Sequence, residues 1–222
     1  MAFLINLAIE QDGVSKMITV IANLKGGSGK STVSFNLATW LVNKGIDIQV
    51  IDLDPQLTLH DVARIRKEEG HEPELNIEAQ TMPSINNRKK EIIFDVGAAN
   101  QQGMHEAIRS ADRIIIPVPP SQPDVWATQR FLKIIREARE GISDVLDIYV
   151  FVNRADTHHA VRESDDAAAA LAQLPNVKLL SQRLYQRTIY RRSMSEGLAV
   201  FELWRGSKGA EEFEAFANAL YQ

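Results

Sequence analysis

One stretch of the chain concentrates residue types that handle phosphate: Lys25-Gly26-Gly27-Ser28-Gly29-Lys30-Ser31-Thr32, entered from the apolar run Met17 to Asn23 and left through SFNLATWLV. Three glycines let a backbone wrap an anion with its N–H groups, and a helix starting at the loop points its positive end at the same place. In that setting Lys30 is expected to reach the β and γ phosphates of a nucleotide, and Ser31 to offer its hydroxyl to Mg²⁺. A Gly-rich turn with no ligand is the plain alternative, and the strand-like and helix-like flanks argue against it. The loop departs from the general phosphate-loop pattern at one position, where Leu24 stands in place of the first glycine.

Two further runs end in carboxylates. Gln49-Val50-Ile51-Asp52-Leu53-Asp54-Pro55-Gln56 carries two acids two residues apart, which places them on one side of an extended chain near the carboxyl end of a buried strand. One can hold a Mg²⁺-bound water while the other faces an attacking water; a capping or solvated pair is the bland reading. Ile92-Ile93-Phe94-Asp95 is an apolar run leading to an acid suited to bind Mg²⁺ through water, with Gly97 close behind.

The elements that must position these groups follow from a recurring alternation of β-branched runs and amphipathic or Ala-rich segments. Strands are expected at Met17 to Asn23, Gln49 to Leu53, Glu91 to Phe94, Arg113 to Val118, Asp147 to Asn153 and Val177 to Leu180, with Leu75 to Gln80 as another candidate. Helices are expected at Ser31 to Asn43, Leu57 to Glu69, Gln102 to Arg109, Asp124 to Glu140 and Ala160 to Gln173. Continuous apolar strands such as Ile114-Ile115-Ile116 are the kind that helices cover on both faces. The fold class is therefore α/β, a doubly wound, mostly parallel sheet flanked by helices, whose ligands bind beyond the carboxyl ends of the strands. Pro83 to Lys90 is too short for a full crossover helix, so a trimmed sheet edge is expected there. Residues 1–16 read as an N-terminal extension, because Met17 could itself begin the first core strand, and 17–222 as one domain.

Composition narrows the classes. The 222 residues carry 25 Lys plus Arg against 29 Asp plus Glu, a formal charge of −4, with 45% hydrophobic and 24% charged residues. Such a chain can bury a core. It has no cysteine, which excludes a thiol nucleophile, Cys-ligated zinc and an iron–sulfur cluster. No apolar stretch approaches the roughly 18 to 20 residues of a membrane span, and the first residues lack the basic flank of a signal peptide.

A lysine directly before the paired glycines is the deviant Walker A form, and through it the sequence resembles the ParA/MinD family of partition and positioning ATPases, its small ParF-like branch in particular. The resemblance covers the chain from Met17 onward and implies a P-loop NTPase of the deviant Walker A type that uses ATP and Mg²⁺. It implies that Lys25 crosses into the partner of an ATP-sandwiched homodimer and contacts the phosphates there, as an arginine finger does. Lys25, Lys30 and Asp54 would then be catalytic. Asp54 would position or activate the water, Asp52 would sit in the outer shell of the metal with Ser31 and Asp95 as its other metal residues, and the loop from Lys25 to Thr32 would hold the nucleotide. DVGAAN lacks the proline common after this acid in the wider family.

Four weaker features remain. Pro119-Pro120-Ser121-Gln122-Pro123-Asp124 reads as a stiff loop in which Ser121 and Asp124 cap the next helix; in ParF-like proteins a proline-rich loop here lies at the dimer interface. Asn153 and Arg154, at the end of a strand, match the place where the family recognises adenine, with help from residues near Leu184. His158 and His159 read as surface histidines. Arg183, Arg187, Arg191 and Arg192 have a spacing that would align at least three on one helix face. Such a stripe binds DNA phosphates without reading sequence or pairs with acids of the same fold, and Arg205 and Lys208 could extend it.

The function that follows is an ATPase that dimerises around two Mg·ATP and binds DNA nonspecifically in that state. With a small ParB-like adaptor it would drive plasmid partition or cargo positioning, in the cytoplasm on the nucleoid. A MinD-like membrane ATPase is the alternative, disfavoured because Ala210 to Tyr221 carries Glu211, Glu212 and Glu214 and no Lys or Arg. A metabolic ATP-dependent synthetase of the same fold class is the other, disfavoured by Lys25 with DxDPQ. Redox branches of the family need cysteines that are absent.

Overall fold

The computed structural model describes residues 17–82, 91–158 and 162–221. Its strands are β1 (Ile18–Ala22), β2 (Ile48–Asp52), β3 (Ile77–Ala79), β4 (Glu91–Val96), β5 (Arg113–Val118), β6 (Asp147–Ala155), β7 (Lys178–Leu179) and β8 (Leu184–Tyr185). They run in the order β3-β2-β4-β1-β5-β6-β7, with β8 also on β6, and every pairing is parallel. The helices are α1 (Lys30–Asn43), α2 (Thr58–Glu68), α3 (Gln101–Ser110), α4 (Gln122–Ala138), α5 (Glu163–Ala172), α6 (Thr188–Ser195), α7 (Val200–Leu203) and α8 (Lys208–Tyr221).

The near-continuous apolar strands explain the layering. Because successive side chains leave a strand on opposite faces, Ile21, Val50, Ile93, Ile115 and Phe151 enter one core with α1, α2, α6, α7 and α8. Their neighbours Val20, Ile51, Phe94, Ile114 and Val150 enter a second core with α3, α4 and α5. Each residue of β1, β4 and β5 is buried. On the first face Phe151 packs on Phe216, ring centroids 4.5 Å apart, which fixes α8 against the sheet.

The sequence-based elements appear close to their expected bounds, with four departures. The helix expected from Ala160 begins at Glu163, the final helix begins at Lys208 rather than Ala210, and β8 and α7 were not anticipated, while the helix implied by the arginine spacing begins only at Thr188. The extension 1–16, His159 and the segment 83–90 lie outside the described residues. The edge strand β3 pairs with β2 in parallel.

The topology dictates where a ligand goes. From β1 the chain moves through α1 to β2 on one side; from β4 it passes through α3 to β5 on the other side of β1. The crossovers leave the carboxyl ends of the adjacent strands β1 and β4 in opposite directions, which opens a crevice there. The Gly-rich loop occupies that end.

Candidate functional site

The loop is held from below by side chains of neighbouring strands. Asn23, just past β1, donates its amide to Pro117 O at 2.8 Å and accepts the Lys25 N–H at 3.0 Å. From the end of β6, Asn153 Nδ2 donates to Ser28 O at 2.7 Å, and Arg154 Nη1 donates to Gly27 O at 2.5 Å. Gln186 accepts from Arg154 Nε at 2.6 Å. With its carbonyls tied back in this way, the loop is free to present N–H groups to the crevice. Gly27 and Gly29 have φ of 74° and 90°, and a Cβ on Gly29 would meet Asn153 Nδ2 at 2.4 Å. Both conformation and space therefore demand glycine at position 29. Helix α1 starts there with no side-chain cap, so its first N–H groups stay available to an anion.

Sequence reasoning paired Asn153 and Arg154 with a base; in the structure each hydrogen-bonds a carbonyl of the phosphate loop, and Arg154 also bonds Gln186. It missed Asn23, Gln186 and Ser34. Ser34 lies one turn after Ser31 on α1, a spacing that could have flagged it, whereas Gln186 is 32 residues from Arg154 and gave no local signal.

Beneath the loop lies an unusual concentration of acid. Asp52 and Asp95 end adjacent strands in direct register, and their residues are 0% and 1% exposed. Asp52 accepts the N–H of Asp54 at 2.9 Å and of His60 at 3.1 Å. Burial pushes its carboxyl above the usual range, against these hydrogen bonds, and the Asp54 charge adds to the rise. Asp95 accepts from Ser34 Oγ at 3.0 Å, while its Oδ2 is buried without a partner. Desolvation raises the Asp95 carboxyl to about 7; the Ser31 hydroxyl opposes this, the Asp52 charge adds to it, and Ser34 and Lys30 oppose it. Lys30 is itself buried, donates to Lys25 O at 3.2 Å, and is shifted down by desolvation against the pull of Asp95 and Asp54.

Two buried acids facing one partly desolvated lysine form a site short of positive charge. Hard oxygen donors of this kind suit Mg²⁺, which keeps several waters and takes the rest of its shell from phosphate. Among the described residues no three His, Cys, Asp or Glu side chains cluster tightly enough to hold a metal alone. Ser31, Asp52 and Asp95 therefore fit a metal that arrives with a nucleotide.

Asp54 sits differently from Asp52. It lies past the end of β2, half-exposed, in the wall of the cleft, and a Cβ on Gly97 would meet its carboxylate atoms at 2.4 to 2.6 Å. Gly97 is thus the residue that lets Asp54 stand over the β4 end. The cleft, of about 450 Å³, runs from Gly26 and Lys30 past Asp54 to Tyr185, Gln186 and Arg191. Lys25 is absent from its wall; the Lys25 amine lies 3.2 Å from Asp124 Oδ1, and Asp124 belongs to the first turn of α4, capped by Ser121 as expected.

The expected arginine stripe does not form. Arg183 precedes β8 and pairs with Asp165 at 2.6 Å; Arg187 is the N-cap of α6 and forks onto Glu212, with Nε at 2.9 and 3.0 Å from the two oxygens. Only Arg191 and Arg192 are on the helix, and Arg192 lies 3.5 Å from Glu196. Acids from distant elements, invisible in the local run, divide the cluster. Arg191, Arg205 and Lys208 are exposed. His158 is exposed as expected. No helix among the described residues is long and apolar enough to cross a membrane.

Comparison with known proteins agrees with this geometry. Residues 19–200 match the family described as the CobQ/CobB/MinD/ParA nucleotide binding domain. The chain is 28% identical over 208 residues to the maintenance of carboxysome distribution protein A of Halothiobacillus neapolitanus, covering 90% of this chain and 94% of that one. It is 29% identical over 220 residues to a protein ParA of Rhizobium radiobacter, covering 92% and 96%. Its fold is similar to that of a Cyanothece McdA variant solved as an ATP complex, with a TM-score of 0.66 at 20% identity, covering 93% and 97%. The chain belongs to the CobQ/CobB/MinD/ParA nucleotide-binding family.

Proposed function

We propose that this protein is a ParA-type ATPase that pairs with a second copy around two Mg·ATP, binds DNA nonspecifically in that state, and positions a plasmid or another cargo with a small adaptor. The observation that carries this reading is the place of Lys25. A signature lysine at the loop rim, 42% exposed, has its amine on Asp124 and not in the wall of the cleft that would hold its own subunit's phosphates. It is well placed to serve those of a facing subunit, as the family resemblance implies.

The chemistry divides among the remaining groups. Lys30 and the loop N–H groups neutralise and orient the phosphates, and Ser31 with the buried acids Asp52 and Asp95 would hold a Mg²⁺ with its waters, which would supply charge neutralisation to the phosphates. Asp54, in the cleft wall, orients the water that attacks the γ phosphorus as the bond to the leaving diphosphate breaks. Lys25 of the second copy brings positive charge as charge develops, so turnover is slow until two copies meet. Asn153 and Arg154 act on the base side chiefly by holding the loop.

Arg191, Arg192, Arg205 and Lys208, each exposed, are the basic residues that would meet phosphates of duplex DNA; Arg183 and Arg187 serve mainly the fold through Asp165 and Glu212. Carboxysome distribution, named for one relative, is a cargo role compatible with this surface, and so is the plasmid partition proposed here. The membrane alternative is weakened by α8, whose Phe213, Phe216 and Leu220 are buried rather than available to lipid.

The test compares retention on arbitrary duplex DNA and on anionic vesicles with ATP and with ADP. DNA retention with ATP only, reduced about tenfold by Arg191→Ala with Arg205→Ala and weakened steeply by salt, supports the reading. Vesicle binding, or DNA binding indifferent to nucleotide, contradicts it.

A further inference from the structure

We infer that Asp124 is a positioning residue that holds Lys25 back on its own subunit until a second copy docks. The inference rests on the proposed role of Lys25 in trans.

Three observations carry it. First, the main chain of Lys25 is fixed: its N–H donates to Asn23 Oδ1 at 3.0 Å and its carbonyl accepts from Lys30 Nζ at 3.2 Å. Only the side chain is free to choose a partner. Second, among the described residues that side chain has one ionic partner, Asp124 Oδ1 at 3.2 Å. Third, Asp124 is built to be that partner. Its side chain is 9% exposed, its other oxygen accepts from Ser121 Oγ, and its N–H donates to the same hydroxyl at 3.3 Å. The acid is therefore locked in one rotamer at the start of α4, with its free oxygen turned to the phosphate loop. The lysine is the mobile member of the pair and the acid the fixed one.

The competition is direct. An ammonium group bonded to a buried carboxylate must leave it before it can reach the phosphates of a facing subunit, since both partners take the same charge. In an isolated subunit Asp124 satisfies Lys25 and keeps it from the anion-binding crevice beside it. On docking, two nucleotide phosphates offer more charge than one carboxylate, and the lysine transfers. A fixed acid at this place raises the concentration at which copies pair and suppresses turnover by subunits that meet only in passing. Without it the same lysine would lie free at the rim and the threshold would fall. Because the pair is partly exposed, its effect is modest, about fivefold in the pairing midpoint.

The test uses the full chain with Asp124→Asn, which keeps the shape and an acceptor for Ser121 while removing the charge. In the nucleotide-free protein, acylation of Lys25 by a succinimidyl ester, read by mass spectrometry against Lys44, is expected to accelerate about threefold or more. With ATP and Mg²⁺, the protein concentration at half-maximal dimerisation is expected to fall about fivefold, and this change is expected to vanish in a Lys25→Ala background. A purely structural role for Asp124 would alter dimerisation equally with and without Lys25. Asp124→Ser provides the same comparison if Asp124→Asn does not fold. Unchanged acylation of Lys25, or a dimerisation shift that persists without Lys25, overturns the inference. Wild-type ATP turnover by Lys25→Ala overturns instead the in-trans reading beneath it, and the acylation measurement, made without nucleotide, separates the two failures.

Discussion

Asp52 and Asp95 lie side by side under the phosphate loop, and their burial costs the nucleotide-free protein stability. Two carboxylates in register on adjacent strands, with Lys30 as the nearest cation, cannot both ionise cheaply. The sign of the consequence follows from linkage. Asp95 is raised from an unfolded value of 3.8 to about 7, so between those values the folded chain binds a proton that the unfolded chain does not. Its contribution is neutral below about pH 4, turns increasingly unfavourable as pH rises toward 7, and is constant above. Asp95→Asn is therefore expected to stabilise the nucleotide-free protein at pH 8 by roughly 2 to 4 kcal/mol, to flatten the pH dependence of stability between 5 and 7, and to abolish the stabilisation that Mg·ATP confers. Denaturant titrations at pH 5 and 8 check the first two effects, and thermal shifts with Mg·ATP check the third. Equal stability of variant and wild type at pH 8 would mean that Asp95 is not strained by its surroundings.

At the scale of elements, the link between α2 and the α6–α7 turn stands out. Arg66 is 0% exposed; its guanidinium forks onto Glu202 at 2.7 and 2.9 Å and donates to Pro73 O and Gly197 O. Gly197 presses on the α2 backbone so closely that a Cβ there would lie 2.5 Å from Arg66 N. This contact sets α2, whose first turn is bonded to Asp52 through His60 N, against the helix that bears Arg191. Glu202→Ala leaves a buried guanidinium without its acid, and is expected to destabilise the fold by about 3 to 5 kcal/mol, read as a lowered urea midpoint with an unchanged m-value. A change below about 1 kcal/mol would show that other groups satisfy Arg66. Nothing in the sequence near Arg66 marks it as buried; it reads as one more charge on an amphipathic helix. The same limit runs through the site. The phosphate loop, Asp52, Asp54 and Asp95 were legible because each sits at the end of a short apolar run, so local pattern and topology together place them. Asn153 under Ser28, Arg154 under Gly27 and Glu212 on Arg187 depend on contacts between residues far apart in the chain. An arginine run read by helical spacing alone therefore became, among the described residues, three ion pairs and one arginine without an ionic partner. The short β8 and α7 escaped for a related reason: segments of two to four residues carry too few periods to declare themselves.

For the whole molecule, the fold places each group proposed to act on the phosphates, except one, around a single cleft. Lys30, Ser31 and Asp54 line it, Asp52 and Asp95 lie beneath, and Lys25 stands outside on Asp124. Under the proposed reading a complete site requires two copies, and overall acidity is compatible with DNA binding, because pairing would double a basic surface that one copy presents weakly. The charge of −4 describes the sum, not this face. The most direct test of the central claim mixes two variants that are each inactive alone, Lys25→Ala and Asp54→Ala, and measures ATP turnover. If Lys25 acts across the dimer, a mixed pair has one site with an intact Asp54 and an intact Lys25 from the other subunit. An equimolar mixture is then expected to recover about one quarter of wild-type turnover, half of the dimers being mixed with one working site in two. A mixture as inactive as its parents would place Lys25 and Asp54 in service of the same subunit, and would contradict the account.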